Sequence, residues 1–105
     1  MTKQEFDNMF NVLEKRYNDA TEQLYIEYAK SNNPCKVGDI IEDHIGKGRI
    51  IKQEVTRNYR DRRSSMFYEC IELKKDGTPK KKETLRTFYQ CNLKSINGKP
   101  YKYDE

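Results

Sequence analysis

The sequence predicts an α+β protein in which an N-terminal amphipathic helix packs on a small antiparallel β-barrel of four or five strands. Three observations carry that prediction. Apolar residues recur at helical spacing near the amino terminus, at Phe6, Phe10, Leu13, Tyr17, Ala20 and Leu24. Short runs rich in Ile, Val and aromatic residues follow, separated by glycine-bearing turns. Finally, 105 residues make one domain with little interior: Leu, Ile, Val and Phe total only twenty, so eight Tyr must supply much of the buried area.

Charge divides the chain. Residues 1–33 hold four basic and six acidic groups, whereas residues 34–105 hold seventeen and eleven. The shift falls at Ser31-Asn32-Asn33-Pro34, a run of turn formers, which sets the expected boundary between a helical segment, 1–33, and a barrel domain, 34–105. The helix opens with Thr2 and Glu5, the spacing of a capping box. Unbroken from Thr2 to Lys30 it would run about 43 Å, whereas the remaining residues fold into a body about 30 Å across. The helix must therefore overhang the body, pair with another copy, or kink near Asn18 and Asp19, where Asp19-x-x-Glu22 repeats the capping pattern. The plain use of the apolar seam is packing against the body. Its alternative use is as a partner-binding face, Phe6, Phe10, Leu13 and Tyr17, including the face of a homodimer.

In the second segment Gly38-Asp39 opens a strand at Ile40-Ile41-Glu42, and Gly46-Lys47-Gly48 reads as a tight turn into a strand from Arg49 to Val55, with Ile51 and Val55 on one face. The run from Met66 to Leu73 alternates, with Phe67, Ile71 and Leu73 on one side. Lys75-Asp76-Gly77-Thr78-Pro79 is the clearest hairpin turn, because Asp-Gly tolerates positive φ; it leads back through Glu83 to Gln90. Cys91 to Ile96 reads as a short helical turn, and Pro100 to Tyr103 as a closing edge strand or a tail. Barrel closure is expected because it removes exposed strand edges.

Residues Lys36 to Ile51 resemble the opening hairpin of SH3-like and Tudor-like barrels in bacterial nucleic-acid machinery, including those of repair helicases and RNA-polymerase-binding modules. The resemblance rests on Val37, Gly38, Asp39, Ile45, Gly46, Gly48 and Ile50. It implies a five-stranded barrel used for binding nucleic acid or protein, without catalysis, and does not extend to the N-terminal helix.

Several classes of chemistry find no support. Cys35, Cys70 and Cys91 are odd in number and lack C-x-x-C spacing, which argues against a disulfide framework or a zinc site and for structural thiols. A single histidine, His44, provides no pair of imidazole ligands and no spare base, so no metal, cofactor or catalytic residue is expected. Gly46-x-Gly48 lacks the Lys-Ser/Thr ending of a phosphate-binding loop. No run approaches the roughly 20 apolar residues that span a bilayer, and Met1 to Glu5 lacks the apolar stretch of a secretory signal, so the expected location is cytoplasmic, with no membrane partner.

The segment from Thr56 to Ser65 does suggest a ligand. Arg57, Arg60, Arg62 and Arg63 surround Tyr59: guanidinium forks suit phosphates, and a phenol ring stacks on bases. Lys80, Lys81 and Lys82, with Lys74 and Lys75, would extend this patch if both loops fall at one end of the barrel. The plain alternative is two solvated loops in a chain that is 36% charged. The leading expectation is thus a non-enzymatic module binding DNA or RNA; an acidic protein surface would suit the same cations. The alternative is a protein-interaction or inhibitor module of a phage or mobile element, dimerising through the helix. That source is suggested by Lys, Asn, Ile and Tyr, which make up 38 residues, the bias of AT-rich coding DNA.

Overall fold

The computed structural model of the chain describes residues 1–57 and 64–103, with backbone alone at Arg57 and Ser64. It is an α+β structure. A single helix, α1 (Lys3–Ser31), precedes six strands, β1 (Ile40–Glu42), β2 (Lys47–Arg57), β3 (Ser64–Leu73), β4 (Leu85–Tyr89), β5 (Ser95–Ile96) and β6 (Lys99–Pro100), with one 3-10 turn at Gln90–Asn92. The strands form one antiparallel sheet in the order β4-β3-β2-β1-β5-β6. Among the described residues β4 and β6 are edges and no pairing joins them, so the sheet is open where closure was expected. Strands β5 and β6 hold only two residues each, enough to pair beside β1 but not to wrap round to β4. Pro100 in β6, which has no N–H to donate, blunts that edge.

The helix starts where its cap predicts: Thr2 Oγ1 accepts from the Glu5 N–H at 3.1 Å. It runs as one helix through Asn18 and Asp19, with no break there. Within the chain the helix overhangs the body. Every residue from 1 to 20 is exposed, and only the last turns meet the sheet, with Tyr25 and Ile26 half-buried and Ala29 buried. The molecule is correspondingly elongated, 69 × 29 × 20 Å, with a radius of gyration of 19.1 Å against about 13 Å for a compact chain of this length. Among the described residues no helix is long and apolar enough to cross a membrane.

The core lies between the last turns of α1 and one face of the sheet: Ala29, Cys35, Ile41, Ile50, Met66, Tyr68, Cys70, Phe88 and Leu93, with Val55, Ile96 and Tyr101 at its margin. In β3 the buried run is Met66, Tyr68 and Cys70; Leu73 is also buried, but Phe67 and Ile71, expected together with it on one side, are only half-buried. Strand β2 changes face at a bulge between Ile50 and Lys52. Ile51 is the inserted residue and is exposed, so Gly48 and Ile50 point inward before the bulge and Val55 after it. Polar side chains fix the direction in which α1 leaves the body. Asn33 Oδ1 accepts from Tyr68 Oη at 2.7 Å and from the Cys35 N–H at 3.1 Å, while its amide donates to Gln53 Oε1 at 3.1 Å. Buried Gln90 donates to the Asn32 carbonyl at 3.2 Å and to Tyr101 Oη at 3.1 Å, and accepts from the Met66 N–H at 2.9 Å.

Candidate functional site

Two hairpin turns lie at one end of the sheet because β2 and β3 pair in register, Lys47 opposite Leu73 and Gly48 opposite Glu72. The β1–β2 turn is shaped by Asp43, whose Oδ1 accepts from the Ile45 and Gly46 N–H groups at 2.9 and 3.0 Å. Its Oδ2 is ion-paired to Arg86 of β4, and the Arg86 guanidinium lies over the Phe88 ring, 4.0 Å from its centroid. Burial pushes the Asp43 carboxyl up, but the guanidinium and the two backbone N–H groups outweigh it and hold the group below its ordinary value. The β3–β4 turn is shaped by Asp76, which accepts from both the N–H and the hydroxyl of Thr78, with Gly77 at φ +88°. Lys80 Nζ pairs with Glu72 Oε2 at 2.6 Å, and Thr84 donates to the same oxygen at 3.2 Å. The Lys80 bond holds the Glu72 carboxyl below its ordinary value. Lys47 Nζ joins the two turns through the Lys75 carbonyl at 3.1 Å.

Between them opens a cleft of about 720 Å³. Six cationic groups, Lys47, Lys74, Lys75, Lys80, Arg86 and Lys94, line it against three acids, Glu42, Asp43 and Glu72, with His44 at the side. Arg86 and Lys80 are spent on Asp43 and Glu72. Lys74, Lys75 and Lys94 have no carboxylate within 4 Å among the described residues. They leave the cleft basic and able to attract an anion.

Tyr59, Arg60, Arg62 and Arg63 lie outside the described residues, as does the side chain of Arg57. The strand ends that flank them, Arg57 and Ser64, are at the far end of β3 from Leu73, about 30 Å away at 3.3 Å per residue. Of the five lysines expected to extend an Arg patch, Lys74, Lys75 and Lys80 line the cleft, while Lys81 and Lys82 are exposed outside its lining. The cleft also recruits Lys47, Arg86 and Lys94, which sequence spacing does not connect. Only the strand register connects them: Lys94 joins the cleft through the bond from its N–H to the Glu42 carbonyl, 2.7 Å. The partner-face residues are accounted for differently: Phe6, Phe10, Leu13 and Tyr17 are all exposed on α1, the first two with rings stacked at 6.2 Å.

Fold and cleft together define a small α+β protein with a basic cleft at one end of its sheet. Comparisons with family models, with curated proteins and with solved structures find no match to this chain.

Proposed function

We propose that this chain is a non-enzymatic binding module whose basic cleft takes the phosphate backbone of a nucleic acid. The observation that carries the reading is the convergence of Lys74, Lys75 and Lys94 on a cleft in which two of the three acids, Asp43 and Glu72, are already committed to ion pairs. Asp43 and Glu72, engaged in this way, hold the hairpins in place and are poor general bases. The Arg57 to Arg63 segment would serve as a second contact. We also read the sheet as an opened small barrel of the SH3-like or Tudor-like kind. Supporting this, β1 carries β2 on one edge and β5 on the other, so the fifth strand returns to the first as such a barrel requires.

Fluorescence anisotropy with labelled duplex DNA, single-stranded DNA and RNA tests the proposal. Three neutralised phosphates on duplex DNA give a log–log salt slope of about −3. Joint replacement of Lys74, Lys75 and Lys94 by Glu should abolish binding, and replacement of Arg60, Arg62 and Arg63 by Ala reports the share of the second contact. No binding at low salt, or unchanged affinity in the cleft variant, refutes the cleft as the site.

A further inference from the structure

Among the described residues an exposed apolar seam runs along α1. Phe6, Phe10, Leu13, Tyr17 and Leu24 are each 56–71% exposed, with Met9 exposed beside them. Successive helical residues turn by about 100°, so Tyr25, Ile26 and Ala29, which face the sheet, lie about 100°, 160° and 140° around the helix from the centre of this stripe. The seam therefore points away from the chain's own body. Because α1 is unbroken and its exit is fixed by Asn33 and Gln90, the seam cannot fold back onto the core. Nor is the overhang a self-sufficient helix. Residues 3–20 gain nothing from tertiary packing, contain one Ala, and include Asn8, Asn11, Asn18, Asp7 and Asp19, all weak helix formers.

We infer that a second copy of this chain covers the seam, the two helices running antiparallel. The area suffices: each large side chain leaves on the order of 100 Å² to be buried, so six per copy give about 1,200 Å² for the pair, within the range of specific interfaces. Charge sets the direction. At a 3.5-residue repeat the seam extends to Lys3 at one end and Glu27 at the other. A parallel pair would bring Lys3 to Lys3 and Glu27 to Glu27, leave Ala20 facing Ala20 beside bulky Tyr17 layers, and hold two bodies of net charge +6 (seventeen basic, eleven acidic groups each) side by side. An antiparallel pair centred near Lys15 puts Lys3 of one copy against Glu27 of the other, Phe6 against Leu24, Phe10 against Ala20, and Leu13 against Tyr17. The bodies then stand at opposite ends. The same register brings Glu14 and Arg16 each beside its own counterpart at the dyad, an unfavourable contact that marks this arrangement.

Sedimentation equilibrium of the full chain should give twice 12.6 kDa. Joint replacement of Phe10 and Leu13 by Glu should return the monomer with the body still folded, since neither residue touches it. In a Cys91→Ser background, chains carrying both Lys3→Cys and Glu27→Cys should oxidise to covalent dimers, whereas Lys3→Cys alone should not. Glu14→Gln should tighten the dimer about twofold by removing one like-charge contact. A monomer at 100 μM overturns the inference and leaves the seam to a different protein. A dimer that survives the Phe10 and Leu13 replacements, or cross-linking through Lys3→Cys alone, overturns the seam or the direction.

Discussion

Gly48 lies inside β2 with its φ outside the left-handed region, so it is not there for a turn. A Cβ at this position would come 2.7 Å from Cys70 Cβ, 2.7 Å from Phe88 Cε1 and 3.0 Å from Phe88 Cζ, where ordinary contact begins near 3.4 Å. Neither neighbour can retreat. Both are fully buried; Cys70 is held in the β2–β3 ladder, and the Phe88 ring carries the Arg86 guanidinium on its face. Overpacking of this kind costs about 1–3 kcal/mol, and the rigidity of both walls places Gly48→Ala toward the upper end. The reduced freedom of the unfolded chain returns about 0.5 kcal/mol. The expected net loss of about 2 kcal/mol lowers Tm by roughly 10 °C in a domain of this size. Thermal and urea unfolding read it directly, with a lower urea midpoint at unchanged slope. Two comparisons isolate the cause. Gly46→Ala, whose Cβ would meet only Arg86 at 3.8 Å, should shift stability by less than about 0.5 kcal/mol. Phe88→Leu should absorb part of the Gly48→Ala penalty, so the double variant should fall short of additivity by about 1 kcal/mol. A Gly48→Ala protein that melts within 2 °C of the parent, or strict additivity with Phe88→Leu, refutes the argument.

Three further outcomes follow from the same contacts. Arg86→Met strips the partner from a carboxylate that is only 5% exposed and should cost about 3 kcal/mol. In the parent, the lowered Asp43 pKa contributes stability that is complete above the ordinary value of 3.8 and is lost as pH falls through the folded-state value; urea midpoints between pH 2.5 and 6 should show this fall and lose it in Arg86→Met. Deleting residues 1–19 should remove helical circular dichroism while leaving the melting of the body within about 3 °C in dilute solution, whereas deletion through residue 30 takes Ala29 from the core and should unfold or aggregate the protein. Among the thiols, Cys91 is exposed, while burial pushes Cys35 and Cys70 up to about 11 and about 12; a thiol reagent should therefore titrate one group in the native protein and three in urea.

The sequence by itself determined what is local. The Thr2 cap, the helical spacing from Phe6 to Leu24 and the Asp76-Gly77 turn are written in neighbouring residues, because a cap, a stripe and a tight turn each close within a few positions. Strand faces were less legible. The inserted residue Ile51 reverses the in-out alternation of β2, and Met66, Tyr68 and Cys70 fill the interior of β3 although Phe67 and Ile71 are the more obvious apolar pair. A bulge shows only when a strand is laid against its partner. Gly48 is a related case: glycine beside a turn reads as turn chemistry, and only the ring of Phe88, forty residues away, makes it a packing residue.

The candidate site depended almost wholly on tertiary structure. The cleft gathers Lys74, Lys75 and Lys80, which follow β3, with Lys47, Arg86 and Lys94 from three other parts of the chain. Charge along a sequence states how many cations there are, whereas register and strand length decide which of them share a field, because Coulomb attraction in water fades within about 10 Å. The helix divides in the same way. Its apolar seam was legible from spacing alone, but the direction of the seam relative to the body was fixed by Asn33, Gln90 and Ala29, and it is this direction that leaves the stripe in solvent.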